Sequence, residues 1–330
     1  MRKVSLGRSG LEVSRLGFGC MGLAEFYGAA LSDAEAEKVL KGALDRGVNF
    51  FDTADMYGSG RNEEQLSGFL GQHRNDVVIA TKFAIQRGEG GQVTGLSNDP
   101  NYIKQACDAS LKRLGVDVID LYYMHRRDRN VPIEDSVGAM ADLVKDGKVR
   151  AIGLSEVSAD TLRQANNVHP IAALQSEYSI VTREMETAMI PACRELGVAF
   201  VAYSPLGRGL LTGAFRSGDD FGENDYRMLM NPRFSDGALE KNLTLVDRLA
   251  IIAKEKDASL AQIALAWVLS KGDDIIPIPG TKKLSRLSEN IGGLEVTLSD
   301  EEVRAIEDAV PADAVAGARY PESSSSTLNA

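Results

Sequence analysis

Four side chains of complementary chemistry stand where apolar stretches of the sequence give way to loops. Asp52, Lys82 and His125 each end or directly follow a short apolar run, a pattern that predicts a buried strand. Tyr57 follows Asp52 closely, ahead of a glycine-rich turn. Each residue taken singly has an ordinary structural explanation, such as a solvated strand end for Lys82. In a parallel α/β protein, however, ligands collect at the carboxyl ends of the strands, so the four together indicate one site.

A carboxylate, a phenol, an ammonium and an imidazole at one point suit proton donation to a carbonyl oxygen. A phenol is a poor acid near neutral pH because its pKa is about 10. An ammonium about 4 Å away, at an effective dielectric near 20, favours the phenolate by on the order of 4 kcal/mol, or about three pKa units. Burial opposes this effect, so we expect Lys82 to lower the pKa of Tyr57 by a smaller net amount. Asp52 would keep Lys82 protonated, and His125 would hydrogen-bond the atom that receives the proton.

Strand-like and helix-like segments alternate along the chain and predict a (β/α)8 barrel in one domain, 1–330. We divide it into an N-terminal β-hairpin at 1–14, the barrel at 15–293, and a C-terminal helix and tail at 294–330. The predicted strands are 15–18, 48–51, 77–82, 119–124, 149–154, 172–175, 199–203 and 275–278. The predicted helices are near 33–46, 62–72, 100–114, 134–147, 158–167, 184–196, 258–271, 283–292 and 299–310.

Two segments do not fit the repeat. Residues 212–240 form a long connection after the seventh strand, and such connections are often functional lids. The tail from Pro311 through Ser323–Ser326 is either flexible or folded back over the barrel mouth.

Composition narrows the class of partner. The 330-residue chain carries a net charge of −10, which argues against a general nucleic-acid or anionic-membrane surface. It has no 18-residue apolar run and no N-terminal signal, and its three cysteines are scattered, so we expect a cytoplasmic protein with reduced thiols. Only three histidines and no Cys-x-x-Cys make a metal site improbable. We expect a small-molecule substrate and a monomer or small homo-oligomer.

A competing fold is available at Gly17-Phe18-Gly19-Cys20-Met21-Gly22, which matches the dinucleotide-binding pattern G-x-G-x-x-G. In that Rossmann-type dehydrogenase Asp52 would bind a ribose hydroxyl. The third glycine should then open a helix that holds the pyrophosphate. Here Gly28 and the helix cap Ser32 intervene before a convincing helix. The glycines equally suit a barrel mouth where backbone passes close to a ligand or a neighbouring loop.

Two stretches in the last third of the chain suit a nucleotide. The segment 203–211 leaves a strand into a glycine-rich loop whose N–H groups could cradle a pyrophosphate, although an ordinary turn has the same composition. Thr281 and Lys282 precede a helix, and Arg286 follows one turn later. A helix N-terminus with Lys and Arg is a phosphate site, and the alternative is a solvated basic helix face.

The settings F-D-T-A-D-M-Y-G, A-T-K-F and Y-Y-M-H-R-R-D resemble the catalytic tetrad of the aldo-keto reductases. The likeness runs from Leu16 to Lys282, and the ending R-Y-P-E at 319–322 is similar to the pyridoxal-reductase-like and perakine-reductase-like branch. The resemblance implies NADPH-dependent reduction of aldehydes and ketones to alcohols by hydride transfer from nicotinamide. It assigns Tyr57 as the general acid, with Asp52, Lys82 and His125 completing the tetrad.

The same resemblance implies an NADPH/NADP+ site. Its members would be Gly19, Cys20, Met21, Ser155, Gln175, Tyr203, Ser204, Leu206, Gly207, Gly209, Leu211, Gly280, Thr281, Lys282, Arg286, Glu289 and Asn290. Among these, Thr281, Lys282 and Arg286 match positions that bind the adenosine 2′-phosphate. Glu289 and Asn290 match residues that contact the adenine. Tyr203 matches the aromatic residue that stacks on nicotinamide, with Ser155 and Gln175 fixing its carboxamide. Many relatives carry Asn after that serine, whereas this chain has Glu156, whose role stays open.

The substrate is not specified by the sequence. Loops 23–30, 126–131 and 212–240 should shape the pocket, and the candidate contacts are Phe26, Tyr27, Arg126, Tyr226, Met228 and Met230. We expect Arg126 and Arg127 to pair with neighbouring acids rather than to attract an acidic substrate. One alternative keeps the barrel and cofactor but makes the protein an NADP(H)-binding redox-sensing module that acts through a protein partner.

Overall fold

The computed structural model describes residues 1–222, 225–235, 237–322 and 327–328. Its central element is a sheet of eight parallel strands whose spatial order follows their order along the chain. Ser323–Ser326, at the end of the tail discussed above, lie outside the described residues. The barrel strands are Phe18–Gly19, Phe50–Asp52, Val78–Phe83, Ile119–Met124, Val149–Ser155, Ala173–Glu177, Ala199–Tyr203 and Ile275–Pro277.

The sheet closes on itself. The N–H of Gly17, beside the first strand, donates to the carbonyl of Pro277 at the end of the eighth strand, with N and O 2.9 Å apart. Ile278 in turn donates to Ala202 in the seventh strand at 3.0 Å. Sequential order and closure define a (β/α)8 barrel, so this prediction is confirmed. The Rossmann alternative is wrong, because an open doubly wound sheet reverses its strand order at a switch point.

Most of the helices cover the outside of the barrel, and those that the sequence predicts lie close to their predicted positions. They are Met21–Ala24, Asp33–Leu44, Arg61–His73, Pro100–Leu114, Ile133–Lys145, Ala159–Val168, Met189–Leu196, Tyr226–Met230, Ala238–Glu255, Leu260–Ser270, Leu284–Gly292 and Asp300–Ala309. Ser32 and Ser299 begin their helices with complete capping boxes, as the sequence predicts. The helix predicted at 184–196 begins instead at Met189, after a 3₁₀ turn at Glu184–Glu186.

Several elements were not predicted, among them the short helices Met21–Ala24 and Tyr226–Met230. The helix Ala238–Glu255 takes the last residues of the expected 212–240 connection and continues well beyond them. Its start lacks the usual signal, because Gly237 adopts a left-handed φ of 75° and no side chain caps the first turn. A hairpin of Ile85–Arg87 and Val93–Leu96 follows the third barrel strand, in a glycine-rich stretch with little hydrophobic pattern.

The predicted N-terminal hairpin is present as Lys3–Ser5 paired with Glu12–Ser14. It packs under the amino ends of the barrel strands, where Leu6 and Val13 join the cluster that fills the barrel interior. Asn49, just before the second strand, bonds this hairpin through its side-chain amide and carbonyl. The hairpin therefore covers the end of the barrel opposite the carboxyl ends of the strands.

Each barrel strand divides its side chains between two apolar layers because successive residues point to opposite faces. Phe50, Leu121 and Val201 contribute to the barrel interior, whereas Phe51 and Tyr122 pack outward against the helices. The alternation of the two layers leaves polar side chains at the strand ends free to face the mouth.

Over the described ranges, no helix combines the length and apolar character needed to cross a membrane.

Candidate active site

Three consecutive strands bring the predicted tetrad to one rim. Asp52 ends the second strand, Lys82 lies near the end of the third, and His125 directly follows the fourth. The N–H of His125 donates to the Phe83 carbonyl at 2.9 Å, which fixes its backbone to the neighbouring strand. Tyr57 lies in the turn after the second strand, so its phenol comes from a loop rather than from the sheet.

The Lys82 ammonium lies at the centre of the group. Its Nζ forms an ion pair with Asp52 Oδ1, donates to the Thr53 carbonyl at 2.7 Å, and lies 3.4 Å from Tyr57 Oη. Lys82 is fully buried and Asp52 is 3% exposed. Gln175 Nε2 donates to the second Asp52 oxygen at 2.7 Å. The ammonium therefore has a fixed direction, set by partners on two sides.

Tyr57 and His125 face each other across the mouth. Their ring centroids are 5.9 Å apart and the rings are nearly perpendicular. Both side chains are 7% exposed, so each is mostly shielded but still reaches the surface of the site. His125 Nδ1 is buried and has no hydrogen-bond partner among the residues that the structure describes. The four groups thus converge as the sequence predicts.

The electrostatics of the site favour a neutral phenol. Burial raises the pKa of Tyr57 and the Lys82 charge offsets only part of this, so the net lowering that we expected is wrong in sign. For Lys82, burial lowers the pKa, but Asp52 and Tyr57 together outweigh this effect and the pKa is raised. Burial, with Arg126 and Lys82 adding to it, holds the pKa of His125 well below its usual range. A protonated phenol, an ammonium and a neutral imidazole are therefore the forms present near neutral pH.

Loops after the first and seventh strands meet above Tyr57. Phe26 contacts Tyr57 edge-on, with ring centroids 6.4 Å apart, and contacts Tyr226 at 5.3 Å. The Arg227 guanidinium stacks over the Tyr27 ring at 5.2 Å, which joins the same two loops at a second point. These contacts place part of the 212–240 segment over the site.

The other pocket candidates lie in different environments. Met228 packs against the outer apolar cluster, whereas Met230 is 41% exposed. Arg126 Nη1 donates to the His125 carbonyl at 2.7 Å and to Ser155 Oγ at 3.3 Å. Arg127 Nη1 donates to a threonine hydroxyl. Both arginines therefore donate hydrogen bonds to uncharged carbonyl or hydroxyl oxygens, whereas we expected them to pair with carboxylates.

The residues predicted to hold nicotinamide lie around the same rim. Ser155 ends the fifth strand and Tyr203 ends the seventh, and both Ser155 and Gln175 are buried. The Gln175 side-chain amide donates to Asp52, so it links the predicted nicotinamide site to the tetrad. The Tyr203 hydroxyl donates to Glu156 Oε1 at 2.9 Å. Glu156 is thus a buried member of the site that sequence reasoning left unassigned, signalled only by its departure from the family pattern.

The predicted pyrophosphate loop is a tight turn, Gly207–Thr212. Ser204 before it, and Gly207 and Gly209 within it, have positive φ values. The N–H groups of Gly207 and Gly209 donate to the Ser204 and Leu206 carbonyls, and that of Leu211 also donates to Leu206. These three donors are therefore used within the turn, whose shape they fix.

Glycine is required where the first strand meets the segment after the eighth. A Cβ on Gly280 would lie 2.5 Å from the Gly19 carbonyl oxygen, and one on Gly19 would lie 2.8 Å from the Ile278 oxygen. Cys20 is buried next to this crossing and Met21 begins a four-residue helix. The close approach of two backbones is a structural reason for both glycines.

The basic end of the candidate cofactor site lies at the helix Leu284–Gly292. Lys282 Nζ donates to the carbonyls of Tyr27, at 2.8 Å, and Ala29, so it bridges to the loop after the first strand. Thr281 Oγ1 accepts from the Lys283 N–H at 3.1 Å. On the helix itself Arg286 is exposed, Glu289 is half-buried and Asn290 is buried. Two cations and a helix N-terminus in an acidic protein fit a phosphate group.

Comparison with known proteins agrees with this geometry. The family described as Aldo/keto reductase family matches residues 15–311. A probable aldo-keto reductase 1 of Glycine max is 46% identical over 97% of this chain and 92% of its own length. The Schizosaccharomyces pombe aldo-keto reductase yakc, named with NADP(+), is 46% identical over 96% of this chain and 94% of its own. The chain belongs to the aldo/keto reductase family.

Solved structures support the fold independently. The glycerol dehydrogenase AKR11B4 from Gluconobacter oxydans superposes with a TM-score of 0.82, at 30% identity, over 91% of this chain and 92% of that one. The holo form of an aldo-keto reductase from Bacillus halodurans superposes with a TM-score of 0.77, at 28% identity, over 98% and 99% of the two chains. The similarity therefore covers the barrel and both of its terminal additions.

Proposed function

We propose that this protein is an NADP(H)-dependent reductase that converts aldehydes and ketones to alcohols, with Tyr57 as the general acid. The observation that carries the proposal is the buried ammonium of Lys82, which pairs with Asp52 and lies 3.4 Å from the Tyr57 oxygen. Membership of the aldo/keto reductase family supports carbonyl reduction in general. The tetrad assignment rests on the geometry of these side chains.

Tyr57 Oη gives its proton to the carbonyl oxygen of the substrate. At an effective dielectric near 20, an ammonium 3.4 Å away stabilises the resulting phenolate by roughly 5 kcal/mol. The neutral His125 imidazole, which faces Tyr57, hydrogen-bonds the same carbonyl oxygen and orients it. When bound, NADPH supplies the hydride that the carbonyl carbon accepts.

The cofactor assignment places its 2′-phosphate on Thr281, Lys282 and Arg286. Its support is the basic helix start described above and the printed cofactor of the S. pombe relative, NADP(+). At the other end, Tyr203 and Ser155, at the ends of the seventh and fifth strands, would hold the nicotinamide ring and its carboxamide. Bidentate and charge-assisted contacts to a phosphate favour NADP(H) over NAD(H).

The remaining expectations are part of the same proposal. We assign a small carbonyl or alcohol substrate, a cytoplasmic location, and a monomer or small homo-oligomer. We assign the chain as a single domain. Residues 1–14 cover the amino-terminal end of the barrel strands, and residues 294–330 add the C-terminal helix and tail. The charge of −10 supports the absence of nucleic-acid and anionic-membrane partners.

A Tyr57→Phe variant tests the proposal. Reduction of a generic aromatic aldehyde, followed by NADPH absorbance, should fall by about 10²- to 10⁴-fold because the proton donor is lost. NADPH binding, measured by calorimetry, should remain. Full retained activity would falsify the role of Tyr57. If the wild type consumes no NADPH with any carbonyl in a broad panel, the redox-sensing alternative is favoured instead.

A further inference from the structure

The C-terminal segment 316–320 returns to the barrel mouth and is fixed there. The side-chain amide of Asn242 exchanges two hydrogen bonds of 2.9 Å with the backbone of Ala316. Gly317 has a φ of +83°, and a Cβ there would lie 2.5 Å from the Pro232 carbonyl oxygen. Only glycine allows this close approach. The segment is therefore built into the mouth through its backbone as well as its side chains.

Arg319 enters the site and meets Glu156 in a two-point ion pair. Nη1 lies 3.0 Å from Oε1 and Nη2 lies 3.2 Å from Oε2, and the two side chains are 5% and 0% exposed. Arg319 Nε also lies 3.2 Å from a Glu184 oxygen. A parallel pair of N–H···O bonds fixes the plane of the carboxylate as well as its position.

The Glu156 carboxylate also holds Tyr203. Its Oε1 accepts the Tyr203 hydroxyl at 2.9 Å and the Glu177 N–H at 3.0 Å. The Tyr203 hydroxyl oxygen lies 2.9 Å from that of Tyr320, the residue after Arg319. The Arg208 guanidinium covers the Tyr320 ring at 4.7 Å. Tyr203 is thus held through its hydroxyl by the fifth strand and by the C-terminal segment together.

The backbone at Glu156 shows that this arrangement is specific. Its φ is +53°, a left-handed conformation that a residue with a Cβ rarely adopts. Such conformations persist where the surroundings over-determine them, and they concentrate at functional sites. Glu156 directly follows Ser155 at the end of the fifth strand, so its side chain is held inside the mouth.

We propose that Glu156 and Arg319 are positioning residues that set the angle of the Tyr203 ring, and that segment 316–320 is therefore part of the nicotinamide half of the cofactor site. This inference rests on the proposed function, in which Tyr203 contacts the nicotinamide ring. Neither positioning residue touches the reacting atoms. Both act through the Tyr203 hydroxyl, which the ion pair holds at one end of the ring.

The test separates the two halves of the cofactor. Binding of NADP+ and of adenosine 2′,5′-bisphosphate, which lacks nicotinamide, is measured by calorimetry on the full-length chain. Glu156→Gln and Arg319→Met should each weaken NADP+ binding by about tenfold. The first removes the charge from the acceptor of the Tyr203 hydroxyl, and the second removes the ion pair that holds this acceptor in place. Tyr203→Phe keeps the ring and loses only the hydroxyl, so it should give a similar loss even if the other two variants fold poorly. Binding of the bisphosphate should not change.

Two further variants sharpen the result. Arg319→Lys keeps the charge but cannot form the two-point pair, so it should recover part of the NADP+ affinity that Arg319→Met loses. Arg163→Met is the matched control, because Arg163 lies on the outer helix Ala159–Val168 and forms exposed ion pairs with Asp160 and Glu195. Its NADP+ affinity should equal that of the wild type.

The outcomes distinguish the inference from the proposed function. Equal losses for NADP+ and the bisphosphate would overturn the inference, because they would indicate general loosening of the site. Unchanged NADP+ affinity in Tyr203→Phe would overturn it as well. If the wild type bound neither probe, the proposed function itself would be wrong, and the inference would fall with it. A selective loss for NADP+ supports the inference.

Discussion

Replacing Lys82 by methionine tests the reasoning about the site most directly. The change removes the ammonium but keeps most of the side-chain volume, so the Asp52 carboxylate stays buried with the Gln175 amide as its remaining side-chain partner. Breaking a buried ion pair from one side typically costs about 3–5 kcal/mol of unfolding free energy. Burial already raises the pKa of Asp52, and the Lys82 charge opposes this. Without the ammonium the pKa rises further, so the loss in Lys82→Met should grow as the pH increases.

The double variant Asp52→Asn/Lys82→Met gives the decisive comparison. It leaves no unpaired charge, so it should recover most of the stability that the single change loses. Activity should stay lost in both variants, because Tyr57 no longer has an ammonium 3.4 Å from its oxygen. Stability and activity are thereby separated, which a merely destabilised protein would not show.

Urea unfolding followed by the fluorescence of Trp267 measures these differences. Trp267 is the single tryptophan and is fully buried in the helix Leu260–Ser270, away from the tetrad. Lys104→Met serves as the control, because its ion pair with Asp142 is about half exposed and should be worth about 0–1 kcal/mol. If Lys82→Met unfolds at the same urea concentration as this control, the buried pair does not have the energetic role argued here.

Three other changes have defined outcomes. Lys282→Ala should weaken NADPH about tenfold more than NADH in binding titrations, because the 2′-phosphate loses a cation; equal losses would count against that contact. Burial, with the Glu63 charge adding to it, raises the pKa of Asp55 to about 8, above its unfolded value. The free energy of unfolding of the wild type therefore falls as the pH rises towards 8. The stability advantage of Asp55→Asn over the wild type should therefore grow by about 2–3 kcal/mol between pH 5 and 7 in urea titrations, and a pH-independent difference would refute this. A Cβ on Gly7 would lie 2.3 Å from the Ala172 oxygen, whereas Gly10 has open space and a similar positive φ, so thermal unfolding should show Gly7→Ala to be the more damaging by about 1–3 kcal/mol.

The barrel was predictable because its signals are local. Apolar runs of strand length that end in Asp52, Lys82 and His125 define both the strands and the rim. The three strands are parallel neighbours in the sheet, which brings the three residues together. Helices with serine caps, such as the one that begins after Ser299, were placed to within a residue or two. The helix Ala238–Glu255 was missed because it starts without a cap.

The long-range contacts of the site were beyond the sequence. The partner of Glu156 is Arg319, which lies in the tail, and nothing in the spacing of the two residues predicts their meeting. The bond from Lys282 to the Tyr27 carbonyl likewise joins segments far apart in the chain. The sign of the Tyr57 pKa shift depended on how deeply the phenol is buried, which the sequence does not state.

The hairpin under the barrel has a practical consequence for attaching the protein to a surface. Met1 lies against Gly47, at the end remote from the tetrad, and its side chain is partly exposed. A short tether at this residue would leave the mouth facing solution. Preparations that are immobilised through Met1 should therefore keep their turnover.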